Sequence, residues 1–244
     1  MILIPMLGNS SRFFNSGYSV PKYELVLGEK TVFEHVLDSF AAYFDTESFT
    51  FGVRSDFEAS EFVHRVATAA GIRNFEILEF HSTTDGQATS VAQMLARSRF
   101  NCPEEDLVVF NADSFIDEFT KPVIPAEVCG SLDVFRGEGD HWSFVAPGEN
   151  STVLRTTEKQ RISDLCSNGL YYFESTDIYE LGYQKMVAND DRVNGEFYVA
   201  PIYNYLIEKG REVRYRLIPS TQTVLCGTPE EYEALRHENW NGFN

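Results

Sequence analysis

The chain opens on an unbroken apolar run, Met1-Ile2-Leu3-Ile4-Pro5-Met6-Leu7, and a polar turn, Gly8-Asn9-Ser10-Ser11, stops it at once. A run without alternation suits a strand buried on both faces. Gly8 and Asn9 tolerate the backbone angles of a tight turn. From Thr31 to Phe44 the period changes: Phe33, Val36, Leu37, Phe40 and Phe44 recur at helical spacing, and Thr31 and Glu34 stand in capping-box register. Phe49 to Val53 reads as the next strand. Ser55 and Glu58 give a second capping-box signal, for a helix that buries Phe62, Val63, Val66 and Ala70 and ends at Gly71. Phe75 to Phe80 is a third strand. Gln87 to Arg97 is a third helix with Ala88, Val91, Ala92 and Leu95 inward, and Leu107 to Phe110 is a fourth strand. This alternation predicts a mostly parallel sheet with helices on both faces.

After residue 120 the rhythm changes. Ser131 to Arg136, Trp142 to Val145, Val153 to Thr157 and Leu170 to Phe173 read as strands joined by short turns, and Asp177 to Ala188 and Glu196 to Lys209 as helices. Val213 to Leu217 is a last strand. The final helix opens at Thr228-Pro229-Glu230-Glu231, where the capping Thr, the first-turn Pro and the Glu at the third position agree. No linker, repeat or low-complexity segment interrupts the chain. It reads as one domain, 1–244, with a first half to about residue 120 and a second half from there on.

Composition narrows the partners. Lys and Arg number 20 against 37 Asp and Glu, a net charge of −17. Such a surface repels nucleic acid and anionic membranes. It also repels a free nucleotide, so any basic residue that meets phosphate must be locally placed. The four cysteines are widely spaced with no Cys-x-x-Cys pair, which gives no sign of a disulfide framework or zinc site and favours a cytoplasmic setting. The opening apolar run is too short for a secretion signal, and no run approaches the roughly 20 residues of a membrane span.

Behind the opening turn stand Arg12-Phe13 and then Pro21-Lys22. Backbone N–H groups in such a loop can face an anion, and the two cations add fixed positive charge. Ile4-Pro5-Met6-Leu7-Gly8-Asn9-Ser10-Ser11-Arg12-Phe13, a spacer and Pro21-Lys22 together resemble the signature loop of the nucleotidylyltransferases that activate sugar phosphates, the pyrophosphorylases. Leu7 stands where that family usually has Ala, and Ser10 where many members have Gly. The resemblance implies that Leu7 to Ser11 line the nucleotide and that Arg12 and Lys22 act on its phosphates.

Other segments extend the likeness. Asp113 ends Leu107-Val-Val-Phe-Asn111-Ala112-Asp113, just past a buried strand, where α/β sheets bind ligands. The family has an Asp there that holds the metal, so Asp113 is expected to bind Mg²⁺ beside Asn111 and Ala112 on the nucleotide. Thr83-Thr84-Asp85-Gly86-Gln87-Ala88 resembles the segment that meets the nucleobase. Gly86 would permit close approach to a flat ring, and Gln87 can donate and accept at a base edge. The shortness of this turn favours a pyrimidine. Glu158-Lys159 matches a family pair placed on sugar hydroxyls and acceptor phosphate, and Asn168-Gly169 a strand beside the sugar. Gly195-Glu196-Phe197-Tyr198 resembles a segment that opens a helix at the acceptor, with Glu196 on the acceptor and Tyr198 in packing. One departure stands out. Many members carry an Asp two residues before a Gly-Thr as a second metal ligand, and here Leu225-Cys226-Gly227-Thr228 puts Leu in that place.

The resemblance covers most of the chain. It implies a Rossmann-like nucleotidylyltransferase sandwich of GT-A-like type with a mostly parallel, mixed central sheet. It implies the reaction of an NTP with a phosphorylated acceptor, such as a sugar phosphate, to release pyrophosphate. Bacterial members often serve capsule or surface-polysaccharide synthesis, and homo-oligomers are left open. Two alternatives remain at this point. Asn111-Ala112-Asp113 could be the degenerate metal motif of a glycosyltransferase, which would have no triphosphate for Arg12 and Lys22 to cradle. A catalytically idle nucleotide-binding protein could account for Leu225.

Overall fold

The computed structural model describes residues 1–243. Strands β1 (Ile2–Met6), β4 (Ser48–Arg54), β5 (Asn74–Phe80) and β6 (Leu107–Phe110) are parallel, with β1 between β4 and β6. The short pairs β2 (Val26–Leu27) with β3 (Lys30–Thr31), and β7 (Ser114–Ile116) with β13 (Thr223–Leu225), lie off the main sheet. β6 is followed in space by β11 (Leu165–Phe173), which runs antiparallel to it and to β8 (Val128–Arg136). Beyond β8 lies β12 (Glu212–Leu217), parallel to its neighbour. One nine-stranded sheet thus passes through both halves of the described chain.

The unbroken apolar run follows from this layering. Ile2, Ile4 and Met6 pack on one face with helices α2 (Val32–Asp38), α3 (Ala59–Ala70) and α7 (Pro229–His237). Met1, Leu3 and Leu7 pack on the other face with α4 (Gln87–Arg97), α5 (Thr176–Ala188) and α6 (Ile202–Ile207). Successive side chains point to opposite faces of a strand, so a strand covered on both sides is apolar at every position.

The sheet forks at β11. Leu170–Phe173 pair with β6, whereas Cys166 pairs with Phe144 of β9 (Ser143–Pro147), which in turn carries β10 (Val153–Glu158). At the fork the register against β8 shifts between Ser167 and Tyr171. Asn168 and Gly169 occupy this bulge. Gly169 has φ +90°, and a Cβ there would collide with the Asn111 amide. Bulges of this kind re-aim side chains beside active sites.

Three expectations need correction. The helix from Thr31 keeps its capping box but stops at Asp38, and a 3₁₀ turn, Ala41–Tyr43, carries Phe44 onward. The Ser55/Glu58 box does not form. Glu58 sits at φ +53° between a 3₁₀ turn and α3, Ser55 bonds to the Phe80 carbonyl instead, and Ala67 rather than Ala70 faces inward. The helix expected from Glu196 starts only at Ile202. Residues 193–196 close a small hairpin, with Val193 and Glu196 exchanging backbone hydrogen bonds and Asn194 and Gly195 at positive φ. That is the requirement of a two-residue Asn-Gly turn, and the turn chemistry overrides the helical spacing that follows it. The opening of α7 forms as read, with its capping box and first-turn Pro.

Candidate active site

β1 delivers the chain into the loop Leu7–Ser10 at the carboxyl ends of the parallel strands. Leu7 is buried, and Gly8 and Asn9 face solvent. Ser10, at φ +49°, turns the chain into the five-residue helix α1 (Ser11–Asn15), which Phe13 pins to the core. The Lys22 backbone N–H donates to Ser10 Oγ at 3.3 Å, tying the loop to Pro21-Lys22. Arg54 donates to the Asn9 side chain.

Lys22 then crosses to Asp113, and its ammonium pairs with the Asp113 carboxylate. Asp113 follows β6. Its carbonyl accepts from the Cys226 N–H at 2.8 Å, and Ser114 pairs with Leu225 across the β7–β13 ladder. Gly227 comes so close that a Cβ would lie 2.9 Å from Asp113 Oδ2. Glu231 stands nearby, but its Oε2 accepts from the N–H groups of Gly227 and Thr228 at 2.8 and 3.0 Å as part of the α7 cap. Among the described residues no group of three or more His, Cys, Asp or Glu side chains converges as a ready-made metal cage.

Two cavities meet at this pair. A cavity of about 370 Å³ is bounded by Leu7 to Ser10, Lys22, Thr83, Thr84, Gly86 and Ala112. A second, of about 190 Å³, is bounded by Trp142, Ser143, Glu158, Asn168, Gly169 and Leu225. Gln87, Asn111, Asp113 and Tyr198 line both. The two are therefore one cleft with a shared wall, and its larger half is enclosed by the loop after β1.

In the larger half, Gly86 (φ +106°) opens α4, and a Cβ on it would lie 2.5 Å from the Phe197 carbonyl oxygen. Gln87 Nε2 donates to Asn111 Oδ1 at 2.6 Å, which ties the start of α4 to the end of β6. Glu196 also lines this half. In the smaller half, Glu158 is almost wholly buried and accepts from Ser143 Oγ, which lies 3.2 Å from the Tyr171 hydroxyl. Burial pushes the Glu158 carboxyl above its ordinary range, against the Ser143 hydrogen bond and the Lys159 charge. Asn168 is held by Thr223 Oγ1 at 3.1 Å. Lys159 Nζ donates to the Tyr198 hydroxyl, which donates to Glu196 Oε2 at 2.7 Å. Burial and Glu196 together keep that hydroxyl protonated.

The expected residues thus divide. Leu7, Gly8, Asn9, Ser10, Lys22, Gly86, Gln87, Asn111, Ala112, Asp113, Glu158, Asn168, Gly169 and Glu196 all line the cleft. Ser11 and Arg12 lie exposed on α1, outside both cavity walls. Arg12 nevertheless lies close enough for its charge to act on the Tyr198 hydroxyl, against the burial and the Glu196 charge that raise its pKa. Asp85 also lies outside, because its carboxylate turns away to Arg192 at 3.2 Å. Lys159 reaches the wall only through Tyr198. Tyr198, read as packing, instead lines both halves. Ser143 and Trp142 escaped the reading altogether. A Ser and a Trp at a strand start carry no periodic signal, and only the fork at β11 brings them to the cleft.

The similarity to a solved structure decides the family. The crystal structure of the nucleoside-diphosphate-sugar pyrophosphorylase from Vibrio cholerae RC9 is 43% identical over 97% of this chain and 100% of that one, with a TM-score of 0.91. The chain belongs to this nucleotidyltransferase family. It is accordingly an enzyme of the nucleotidyl-transferring class, and the glycosyltransferase alternative falls away. More distant members of the fold include the inositol-1-phosphate CTP transferase from T. maritima, at 14% identity and a TM-score of 0.74 over 100% of this chain and 97% of that one. A putative glucose-1-phosphate thymidylyltransferase from Bacillus anthracis, at 14% identity, has a TM-score of 0.73 over 100% and 96%. No family model and no curated protein matches the chain.

Proposed function

We propose that the protein transfers a nucleoside monophosphate from an NTP to a sugar phosphate or similar phosphorylated small molecule, releasing pyrophosphate. The two-part cleft carries this reading. The loop after β1 bounds the larger half, a buried carboxylate and an amide line the smaller, and Lys22 in the larger half pairs with Asp113, which lines both. Leu7 to Ser10 would receive the triphosphate, and Gly86 and Gln87 the base. Glu158 and Asn168 have the acceptor and donor groups to bind hydroxyls of the second substrate.

The chemistry needs no protein nucleophile. A phosphate oxygen of the acceptor attacks the α-phosphorus, and the bond to pyrophosphate breaks in line. The cleft's task is to align the two anions and neutralise them. Lys22 is placed to offer its ammonium to those phosphates, and Tyr198 holds the Lys159 ammonium at the edge of the acceptor half. The donor set suits Mg²⁺, a hard cation that binds through one or two carboxylates and keeps its waters. Asp113 would hold it, and when bound it would supply charge neutralisation to the phosphate oxygens.

The base is proposed to be a pyrimidine, from the short Thr84–Gln87 turn. The product is proposed to feed surface-polysaccharide synthesis in the cytoplasm. Pyrophosphate release measured over the four common NTPs and a panel of phosphosugars with Mg²⁺ tests the reaction, the base and the acceptor. Release confined to CTP or UTP with one phosphosugar is expected. Tight calorimetric binding of ATP or GTP with CTP and UTP silent would overturn the base assignment. Release from no pair would leave a nucleotide-binding protein only.

A further inference from the structure

One contact network joins the walls of the two halves of the cleft. The hairpin at 193–196 carries Glu196, which lines the larger half, and leads through Phe197 to Tyr198, which lines both. Its inner edge is zipped to the loop that opens α4. The Phe197 N–H donates to the Asp85 carbonyl at 2.8 Å, and the Ala88 N–H donates to the Phe197 carbonyl at 3.0 Å. Gly86 has no side chain at the point where those backbones touch.

Arg192 closes this junction. Its guanidinium donates to Asp85 Oδ2 at 3.2 Å and to the Gly195 carbonyl at 3.1 Å, and its Nε donates to Asp190 Oδ1 at 2.6 Å. Its guanidinium carbon also lies 4.2 Å from the centre of the Phe197 ring. One planar fork therefore grips the loop that opens α4, the tip of the hairpin and the ring between them. Lys could not make these bonds at once. The hairpin needs the grip. It is two residues wide at its pairing, with positive φ at Asp190, Asn194 and Gly195, and a hairpin of that size is marginal alone in water.

We propose that Arg192 is a positioning residue that couples the two halves of the cleft. By clasping Asp85 to Gly195 and Phe197, it makes the geometry at Gly86–Gln87 set the placement of Glu196, Tyr198 and, through Tyr198, Lys159. This rests on the two-substrate reading above. Binding at the nucleotide side would order the acceptor side, and by linkage the reverse would hold to the same degree.

Two readouts separate this proposal from the reading beneath it. The first is amide hydrogen exchange, with no substrate needed. Arg192→Ala and Asp85→Ala should each speed exchange at Glu196, Phe197 and Ala88 by about tenfold or more, with the Ile2–Met6 amides unchanged. Adding each of the four common NTPs with Mg²⁺ should slow exchange at Glu196 and Phe197 in the wild type and not in Arg192→Ala. The second is kinetic, with the pair found by the substrate panel. Arg192→Ala should raise the KM of each substrate, measured with the other saturating, by about tenfold, and leave the NTP dissociation constant of the free enzyme within about twofold, in the ordinary range of coupling energies. Arg192→Lys should recover part of the loss. Adding Asp85→Ala to Arg192→Ala should cost nothing more, since both break one pair.

Exchange at Glu196 and Phe197 that is the same in wild type and Arg192→Ala overturns the clasp. So does an NTP dissociation constant of the free enzyme that rises as much as the KM values, which would mean general loosening of the cleft. A wild type that releases no pyrophosphate removes the assigned reaction, and the exchange result still decides the role of Arg192.

Discussion

Lys22 and Asp113 hold opposite charges where the two cavities join, and each is only partly buried. Their pairing is therefore worth little to stability, about 1 kcal/mol or less for an exposed pair. Lys22→Ala should leave the melting temperature within about 2–4 °C, what that energy converts to in a chain of this size. Turnover should fall by about a hundredfold or more, because a cation aimed at transition-state charge is worth a few kcal/mol. Near-normal pyrophosphate release by this variant would remove the phosphate role. Glu158 makes the opposite trade. Its folded-state pKa is raised by burial, so the folded site disfavours the charged carboxylate. Below the ordinary Glu range both folded and unfolded states are protonated and the penalty vanishes. It grows as pH rises from that range through the raised folded pKa. Glu158→Gln should accordingly melt higher than wild type at pH 7.5, with the gap closing toward pH 4, while its acceptor KM rises. A variant that is less stable at pH 7.5 would show that the Ser143 hydrogen bond outweighs desolvation.

The strands and helices that were legible are those whose pattern is set by burial. β6 and α4 have the bounds that their apolar positions gave, and β1 lies within the opening apolar run, because burial in the core leaves a pattern in the sequence. The α2 and α7 caps were legible because a Thr with a Glu three residues on satisfies two backbone donors locally. Two elements of the second half were legible only in part. β11 is nine residues long and was seen only from Leu170, because Ser167, Asn168 and Gly169 at the bulge interrupt its apolar run. The hairpin at 193–196 was hidden in a helical period, although Asn194-Gly195 announced it. The fork also makes its own prediction. Gly169→Ala would force a side chain to φ +90° and into the Asn111 amide. We expect it to destabilise the protein by about 1–3 kcal/mol in urea denaturation, and to lower turnover further by displacing Asn111 from the shared wall. An Ala variant as stable and active as wild type would mean that the bulge is not fixed by its glycine.

The molecule carries a net charge of −17, yet its proposed substrates are anions. Lys22 is the cation among the residues lining the larger cavity, and it is already paired with the carboxylate proposed to hold the metal. A free divalent ion would have to displace that ammonium and would find one carboxylate, with Leu225 where a second is expected and Glu231 engaged at the α7 cap. One carboxylate rarely makes a dedicated Mg²⁺ site, so the ion should arrive already on the triphosphate, which would also draw Lys22 off Asp113. Mn²⁺, followed by its paramagnetic resonance signal, should bind the free enzyme only weakly, with a dissociation constant at or above the millimolar range of loose oxygen-ligand sites. Adding the NTP identified by the substrate panel should tighten it. Asp113→Asn should remove most turnover and abolish that tightening. Leu225→Asp should strengthen binding of Mn²⁺ to the free enzyme, since Leu225 is paired across from Ser114, beside Asp113. Full activity in excess chelator, or in Asp113→Asn, would show that Asp113 serves only as the ion-pair partner of Lys22.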